Sequence, residues 1–271
     1  MEKGVEYFTI FGGLDMHIDT SLPLNELIET HVLKKYKMIR NYISTLTKGD
    51  PEYNKILSAL AIGDRRTNSA FRKVGISFDN GIDIVDDLVR LKILKLEKSL
   101  QKLSKLDDQY TVSERLLFTN PFMRFWFAFV SPLFQGIKEE KYEEFFKKYN
   151  NNKAEFSDMI FEQLAHEYLR EIGKDDCLFT LGRYWDDDVS VDILGKTKSG
   201  KVIAGSVKYT NNKIKKTELS ALKEKCEKLK IDVDTFVLFS KKGYTNELKT
   251  LKKTENLQLF TVKNFSLFIA E

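Results

Sequence analysis

Apolar residues recur at helical spacing through most of the first half of the chain and at strand spacing through much of the second. Leu24, Ile28, Val32 and Leu33 predict a helix over 24–46. Tyr53–Ile62 reads as an apolar helix, Arg66–Val74 as a short second one, and Asn80–Leu91 as a third with Ile82, Val85, Leu88 and Val89 inward. Ile93–Glu97 and Gln109–Val112 are expected to pair as a hairpin. Residues 1–20 show no clear period. Further on, Ile160, Phe161, Leu164, Ala165, Tyr168 and Leu169 give an amphipathic helix over 158–172. Strands follow at 177–184, 189–195 and 201–209, then a helix at 216–230 and a strand at 235–240. A helix at 244–253 and a strand at 257–262 complete the pattern.

A meander of three strands, a crossover helix and a parallel strand predict an α/β sandwich with a mixed central sheet. Turn signals at Lys48-Gly-Asp-Pro51 and Asn150-Asn-Asn152 place boundaries near 50 and 150. Four segments result: an N-terminal helical segment (1–50), a compact helical unit (51–115), an aromatic helical connector (116–152) and the α/β domain (153–271). Three helices followed by a hairpin is the winged-helix order. The third helix, which normally enters the major groove, carries Asp83, Asp86 and Asp87 and no cation before Arg90. Its acids would repel phosphate, so docking of a partner protein weighs equally with DNA binding. The aromatic run Phe118–Phe134 is expected to make core or interdomain packing rather than a base-stacking platform.

Composition narrows the class. A chain of 271 residues, 42% hydrophobic and 31% charged, suits a soluble protein with ordinary cores. The longest apolar run, Phe125–Val130, is too short to span a bilayer, and the N-terminus shows no signal-peptide pattern, so a cytoplasmic location is expected. Cys177 and Cys226 are too few for a disulfide framework or a zinc site. Net charge is only +4, but residues 208–230 hold eight Lys against three Glu. Lys213, Lys215, Lys216 and Lys223, with a second basic group at Arg65 and Arg66, are the candidate phosphate contacts; lysine-rich helices are more often plain solvated faces. A second copy of the chain is allowed for as a partner.

Candidate chemistry concentrates in two adjacent strands. Asp192 alternates with Val191 and Ile193, and Lys208 ends the next apolar run, Val202–Val207. Antiparallel pairing across the turn Lys196–Lys201 would bring this carboxylate and ammonium together at one end of a sheet. Such a pair suits metal-assisted phosphodiester chemistry, in which the acid holds a divalent cation and the lysine orients or activates water or stabilises developing charge. The segment Gly195–Lys201 fits G-x-x-x-x-G-K, but Val202 stands where Ser or Thr would bind magnesium, and Lys201 opens a strand instead of a helix. It reads as a hairpin turn with positive φ at Gly200.

Asp192…Ser206-Val-Lys208, with Glu162 on the preceding helix, resembles the PD-(D/E)xK nuclease superfamily, whose fold is restriction-endonuclease-like. The wider pattern is similar to the DUF234 family. It comprises Phe161-Glu162, Gly182-Arg-Tyr-Trp185, Val191-Asp-Ile-Leu194, Lys208-Tyr209 and Phe236–Tyr244, with Thr119–Phe127 upstream. The resemblance covers roughly residues 50–271 and implies an N-terminal helical/winged-helix region before a restriction-endonuclease-like α/β domain. In that family an ATPase module usually precedes this domain; no phosphate loop is found here. The resemblance also implies Mg²⁺ or Mn²⁺, DNA as substrate, and Asp192 and Lys208 as catalytic residues. The family expects Glu-x-Lys where Ser206-Val-Lys208 stands, and usually a Glu near Ser190.

A hydroxyl does not supply the anionic charge of a carboxylate to a hard cation. Either the site has decayed, or another acid has taken over. Some restriction enzymes with Ser-Val-Lys draw the acid from the following helix, which here offers Glu218 in its first turn and Glu224 further on; Glu218 is favoured because the first turn points back toward the strand end. Glu162 is the other candidate ligand, and His166 lies one turn beyond it. The leading expectation is a metal-dependent DNA endonuclease or nickase using Asp192, Lys208, Glu218 and Glu162. The alternatives are a catalytically inactive DNA-binding or regulatory protein of the same fold and a winged-helix adaptor for a protein partner.

Overall fold

The computed structural model describes residues 2–63, 65–103, 112, 114–174 and 176–268. It divides into two compact units, one of Glu6–Glu97 and Ser113–Phe156, the other of Met1–Val5, Lys98–Val112 and Ser157–Glu271.

The first unit is mostly helical. Its elements are α1 (Glu2–Phe11) from Glu6 on, α2 (Leu24–Ile28), α3 (Tyr36–Leu46), α4 (Pro51–Ala61), α5 (Thr67–Val74), α6 (Phe78–Arg90), β1 (Leu94–Glu97), β2 (Arg115–Phe118), α7 (Pro121–Phe125), α8 (Phe134–Lys138) and the start of α9 (Glu143–Ile172). Capping fixes several starts: Asp50 accepts from Glu52 N–H at 2.7 Å with Pro51 at the first helical position, and Asn120 accepts from Met123 N–H at 3.2 Å. Residues 24–46 are not one helix. A π-helical turn, Glu29–Leu33, separates α2 from α3. The buried pairs Leu27/Ile28 and Val32/Leu33 are five residues apart. Bonding from Lys34 N–H back to Glu29 O (2.9 Å) keeps both pairs on one face.

β1 pairs antiparallel with β2, Leu94 opposite Phe118 and Leu96 opposite Leu116. The expected partner segment Gln109–Thr111 lies outside the described residues. The buried Leu116, Leu117 and Phe118 supply the apolar side chains that a strand needs against the core. On α6, Asp87 accepts from the Tyr53 hydroxyl, Arg90 and Lys48 (3.3 Å), so this acid ties helices together. Every residue from Phe122 to Val130 is buried, which makes the aromatic run core and leaves no stacking platform there. Arg124 is buried with it, donating to Ala61 O (3.0 Å) and Phe156 O (2.8 Å) while lying 3.9 Å over the Phe156 ring. Asn150–Asn152, a turn signal in sequence, lie inside α9. Asparagine costs a helix under about 0.7 kcal/mol per residue, whereas burying Phe145 or Phe156 contributes about 1.5–3 kcal/mol each.

The second unit is built on β3 (Leu178–Trp185), β4 (Ser190–Thr197), β5 (Val202–Lys208), β6 (Thr235–Ser240) and β7 (Leu257–Thr261), in that spatial order. β3, β4 and β5 are antiparallel neighbours; β5, β6 and β7 run parallel. Alternation assigns the faces. Val237 and Phe239 join Ile193, Val207 and the α9 residues Phe161, Ala165, Tyr168 and Leu169. Leu238 joins Val191, Leu194 and Ala204 on the other face. There they meet Leu219, Leu222 and Cys226 of α10 (Lys216–Lys228) and Leu248 of α11 (Asn246–Leu251). The result is a mixed α/β unit with a helix layer on each face of its sheet. Among the described residues no helix is long and apolar enough to cross a membrane.

Candidate active site

The β4–β5 hairpin turns through Gly200, whose φ is 93°, and closes with Thr197 N–H to Lys201 O at 2.9 Å. From there the ladder runs to Ile193 opposite Gly205. One rung further, Asp192 faces Ser206. Asp192 Oδ2 accepts the Val207 N–H at 3.0 Å and lies 3.2 Å from Ser206 Oγ. Helix α10 then carries Glu218, in its first turn, to the same place: Ser206 Oγ is 2.6 Å from Glu218 Oε1. A serine has one hydroxyl hydrogen, and the shorter contact takes it. Lys208 Nζ sits 3.3 Å from Glu218 Oε1 and 3.9 Å from Asp192 Oδ2. Ser206 is buried beneath the group, while the Asp192, Lys208 and Glu218 side chains are each about a third exposed.

Burial works against the Lys208 ammonium, but attraction from Asp192 and Glu218, the contact to Glu218 and the Asp158 charge outweigh it and hold its pKa above the usual lysine value. Asp158 lies on α9, and its Oδ1 accepts the Tyr209 N–H at 3.0 Å. Burial pushes the Asp158 carboxyl above the normal aspartate range; the Tyr209 N–H opposes this and the Asp192 charge adds to it. His166, also buried on α9, places Nε2 2.8 Å from the Asp192 carbonyl and so fixes the strand backbone at the acid.

The predicted site residues therefore separate. Asp192, Lys208 and Glu218 meet around Ser206. Glu162 contacts the buried Arg183 guanidinium as an ion pair. Glu224 is on the exposed surface of α10, and Ser190 is exposed at the start of β4, opposite Trp185. Lys213 and Lys215 are exposed between β5 and α10. Lys216 is 3.9 Å from Glu247, and Lys223 is bonded to Glu255 at 2.5 Å with its ammonium 5.5 Å over the Phe236 ring. Arg65 and Arg66 belong to the helical unit, half-buried, with Arg66 bridged to Arg115. Asp158 is the residue that sequence reasoning missed. Its signal was spacing: Asp158, Glu162 and His166 recur every fourth residue on one helix face.

As donors for a divalent cation, Asp192 and Glu218 are of the right kind, being hard carboxylate oxygens. Among the described residues no hydrogen bond engages Asp192 Oδ1 or Glu218 Oε2. Among the same residues no group of three or more His, Cys, Asp or Glu side chains is arranged to hold a metal ion. The protein would thus supply a partial donor set that water completes.

Residues 126–226 match the model of the DUF234 family, Archaea bacterial proteins of unknown function. The matched stretch contains Asp158, Asp192, Ser206, Lys208 and Glu218. No curated protein and no solved structure matches the chain.

Proposed function

We propose that this chain is a metal-dependent DNA endonuclease or nickase, in which Glu218 supplies from α10 the carboxylate that the PD-(D/E)xK pattern expects at Ser206. The observation that carries the reading is the convergence of Glu218 and Asp192 on one buried hydroxyl and one ammonium. Asp192 and Glu218 would hold Mg²⁺ or Mn²⁺, and the bound ion would polarise a phosphoryl oxygen and acidify its water. Ser206 locks Glu218 against the strand end, so the acid is placed before substrate arrives. Val207 N–H and the His166 contact do the same for Asp192. Lys208 keeps its proton at neutral pH, so it acts as a fixed cation toward charge developing on the phosphate and not as a base. Residues 51–115, read as a winged helix, would add a second contact surface for DNA or for a protein partner.

The runner-up is a catalytically silent nucleic-acid-binding protein of the same fold. It is favoured by the number of acids, two at Ser206, and by the commitment of Asp192 Oδ2 to the Val207 N–H. Incubation with supercoiled plasmid in Mg²⁺ and Mn²⁺ separates the two. Nicking or linearisation that disappears in Asp192→Ala supports the nuclease; DNA binding without cleavage in either metal selects the runner-up.

A further inference from the structure

A cleft of about 490 Å³ opens within the helical unit. Its polar lining comes from three places in the chain: Asn54, Lys55 and Ser58 on α4, Lys73 at the end of α5, and Ser131. Ser131 opens the 3₁₀ turn Ser131–Leu133, which follows the buried aromatic run. On α4 the buried residues Tyr53, Ile56, Leu57 and Leu60 form one stripe, so Asn54, Lys55 and Ser58 fall outside it. Gly75, with φ 73°, stops α5 just after Lys73 and Val74.

The fold leaves these polar groups unused. Among the described residues, the side chains of Asn54, Lys55, Ser58, Lys73 and Ser131 make no hydrogen bond or ion pair. Lys148 of α9 is half-buried and has no such partner either. Burial lowers the pKa of Lys148; the Glu144 charge opposes this and the Lys73 charge adds to it. Residues 53–78 and 115–138, which carry the lining, hold eight Lys and Arg against one acid, Asp64, whereas the whole chain holds 44 against 40. The lining itself contains no carboxylate to neutralise its lysines, as Glu255 does for Lys223.

We infer that this cleft binds a small phosphorylated molecule, its phosphate taken by Lys55 and Lys73 and its uncharged body set against Ala59, Val74 and Pro132. A phosphate monoester carries about −1.5 to −2 charge at pH 7 and three acceptor oxygens. Two ammonium groups match that charge, and the Asn54 amide and the Ser58 and Ser131 hydroxyls supply further donors. A single carboxylate, or one phosphodiester of a nucleic-acid backbone, brings only one charge. The volume falls within the range of about 300–1,000 Å³ usual for small-ligand sites. The inference is independent of the nuclease reading, since it draws on none of the residues around Ser206.

The test is equilibrium dialysis of the full-length chain against radiolabelled inorganic phosphate, in EDTA and at constant ionic strength. Saturable binding is expected, weakened at least about tenfold by Lys55→Gln or Lys73→Gln and unchanged by Lys223→Gln. Lys55 and Lys73 are exposed, and circular dichroism checks that their variants fold. Ribose 5-phosphate should displace the label, while ribose, succinate and a short DNA duplex at equal phosphate concentration should not. Absence of saturable binding, or binding untouched in both lysine variants, would overturn the inference. Equal displacement by succinate would show a general anion site, and equal displacement by the duplex would assign the cleft to nucleic-acid backbone; either result rejects the small phosphorylated ligand.

Discussion

Ser206 on β5 and Glu218 on α10 are joined by a 2.6 Å hydrogen bond, so a buried hydroxyl at the strand end is bonded to an acid carried by the following helix. The intervening residues form the loop and first helical turn that return the chain to the strand end. Because the hydroxyl also lies 3.2 Å from Asp192 Oδ2, one side chain spaces two carboxylates that Lys208 partly neutralises.

Removing that neutralisation should cost stability. An uncompensated buried charge costs about 3–5 kcal/mol; with the Lys208 side chain 37% exposed, solvent screening reduces the expectation for Lys208→Ala to about 1–2 kcal/mol. Adding Asp192→Asn should recover part of it, because one of the two repelling carboxylates is gone. Urea denaturation at neutral pH checks both; a fully stable Lys208→Ala would mean the two acids do not repel.

Asp158 predicts a pH effect. Its folded-state pKa lies above the ordinary 3.8, so the native state binds this proton more tightly than the unfolded chain does. Its contribution to stability therefore declines as pH rises from about 3.8 through the folded value, and stays lost above it. Asp158→Asn keeps an oxygen acceptor for the Tyr209 N–H without the titration. The variant should be at least as stable as wild type at neutral pH and show a shallower decline in that window. A clearly less stable Asp158→Asn would show that the charged carboxylate is what the fold requires.

Glu162 should behave as a structural acid. Arg183 is 4% exposed and Glu162 14%, so Glu162→Ala is expected to destabilise by about 3–5 kcal/mol, with activity falling only as folding does. A stably folded Glu162→Ala that had lost metal-dependent cleavage would restore it as a ligand.

The thiols provide a control on packing. Burial pushes the Cys226 thiol up to about 11, so near neutral pH a maleimide should label Cys177, which is half-buried, well before Cys226. Fast labelling of Cys226 in the native protein would mean that the α10 face of the sheet opens readily.

Much of the second unit was legible because its strands are short apolar runs between clear turns; Thr235–Ser240 coincides with β6. The Asp192–Lys208 pairing followed from hairpin register alone. What escaped had physical reasons. A single i, i+4 series offered both Asp158 and Glu162, and only tertiary packing decides which acid meets Tyr209 and which meets Arg183. Helix α9 runs through Asn150–Asn152 because Phe145, Tyr149 and Phe156 hold it by burial, and local propensity cannot report that. The π-helical turn at Glu29–Leu33 buries Leu27/Ile28 and Val32/Leu33 at a five-residue spacing that a 3.6-residue period does not detect, and the one at Trp126–Val130 lies in a run buried on every side, where no period shows.

The central claim is that Glu218 has taken the acid's role at Ser206, and Glu218→Gln tests it most directly. Glutamine keeps an oxygen acceptor for the Ser206 hydroxyl and the length of the side chain, and removes only the charge. Single-turnover cleavage of plasmid in Mn²⁺ should fall at least about 100-fold, with duplex binding in EDTA and thermal stability preserved. Adding Ser206→Glu should return part of the rate by placing a carboxylate beside Lys208 again. Cleavage by Glu218→Gln at the wild-type rate would contradict the account.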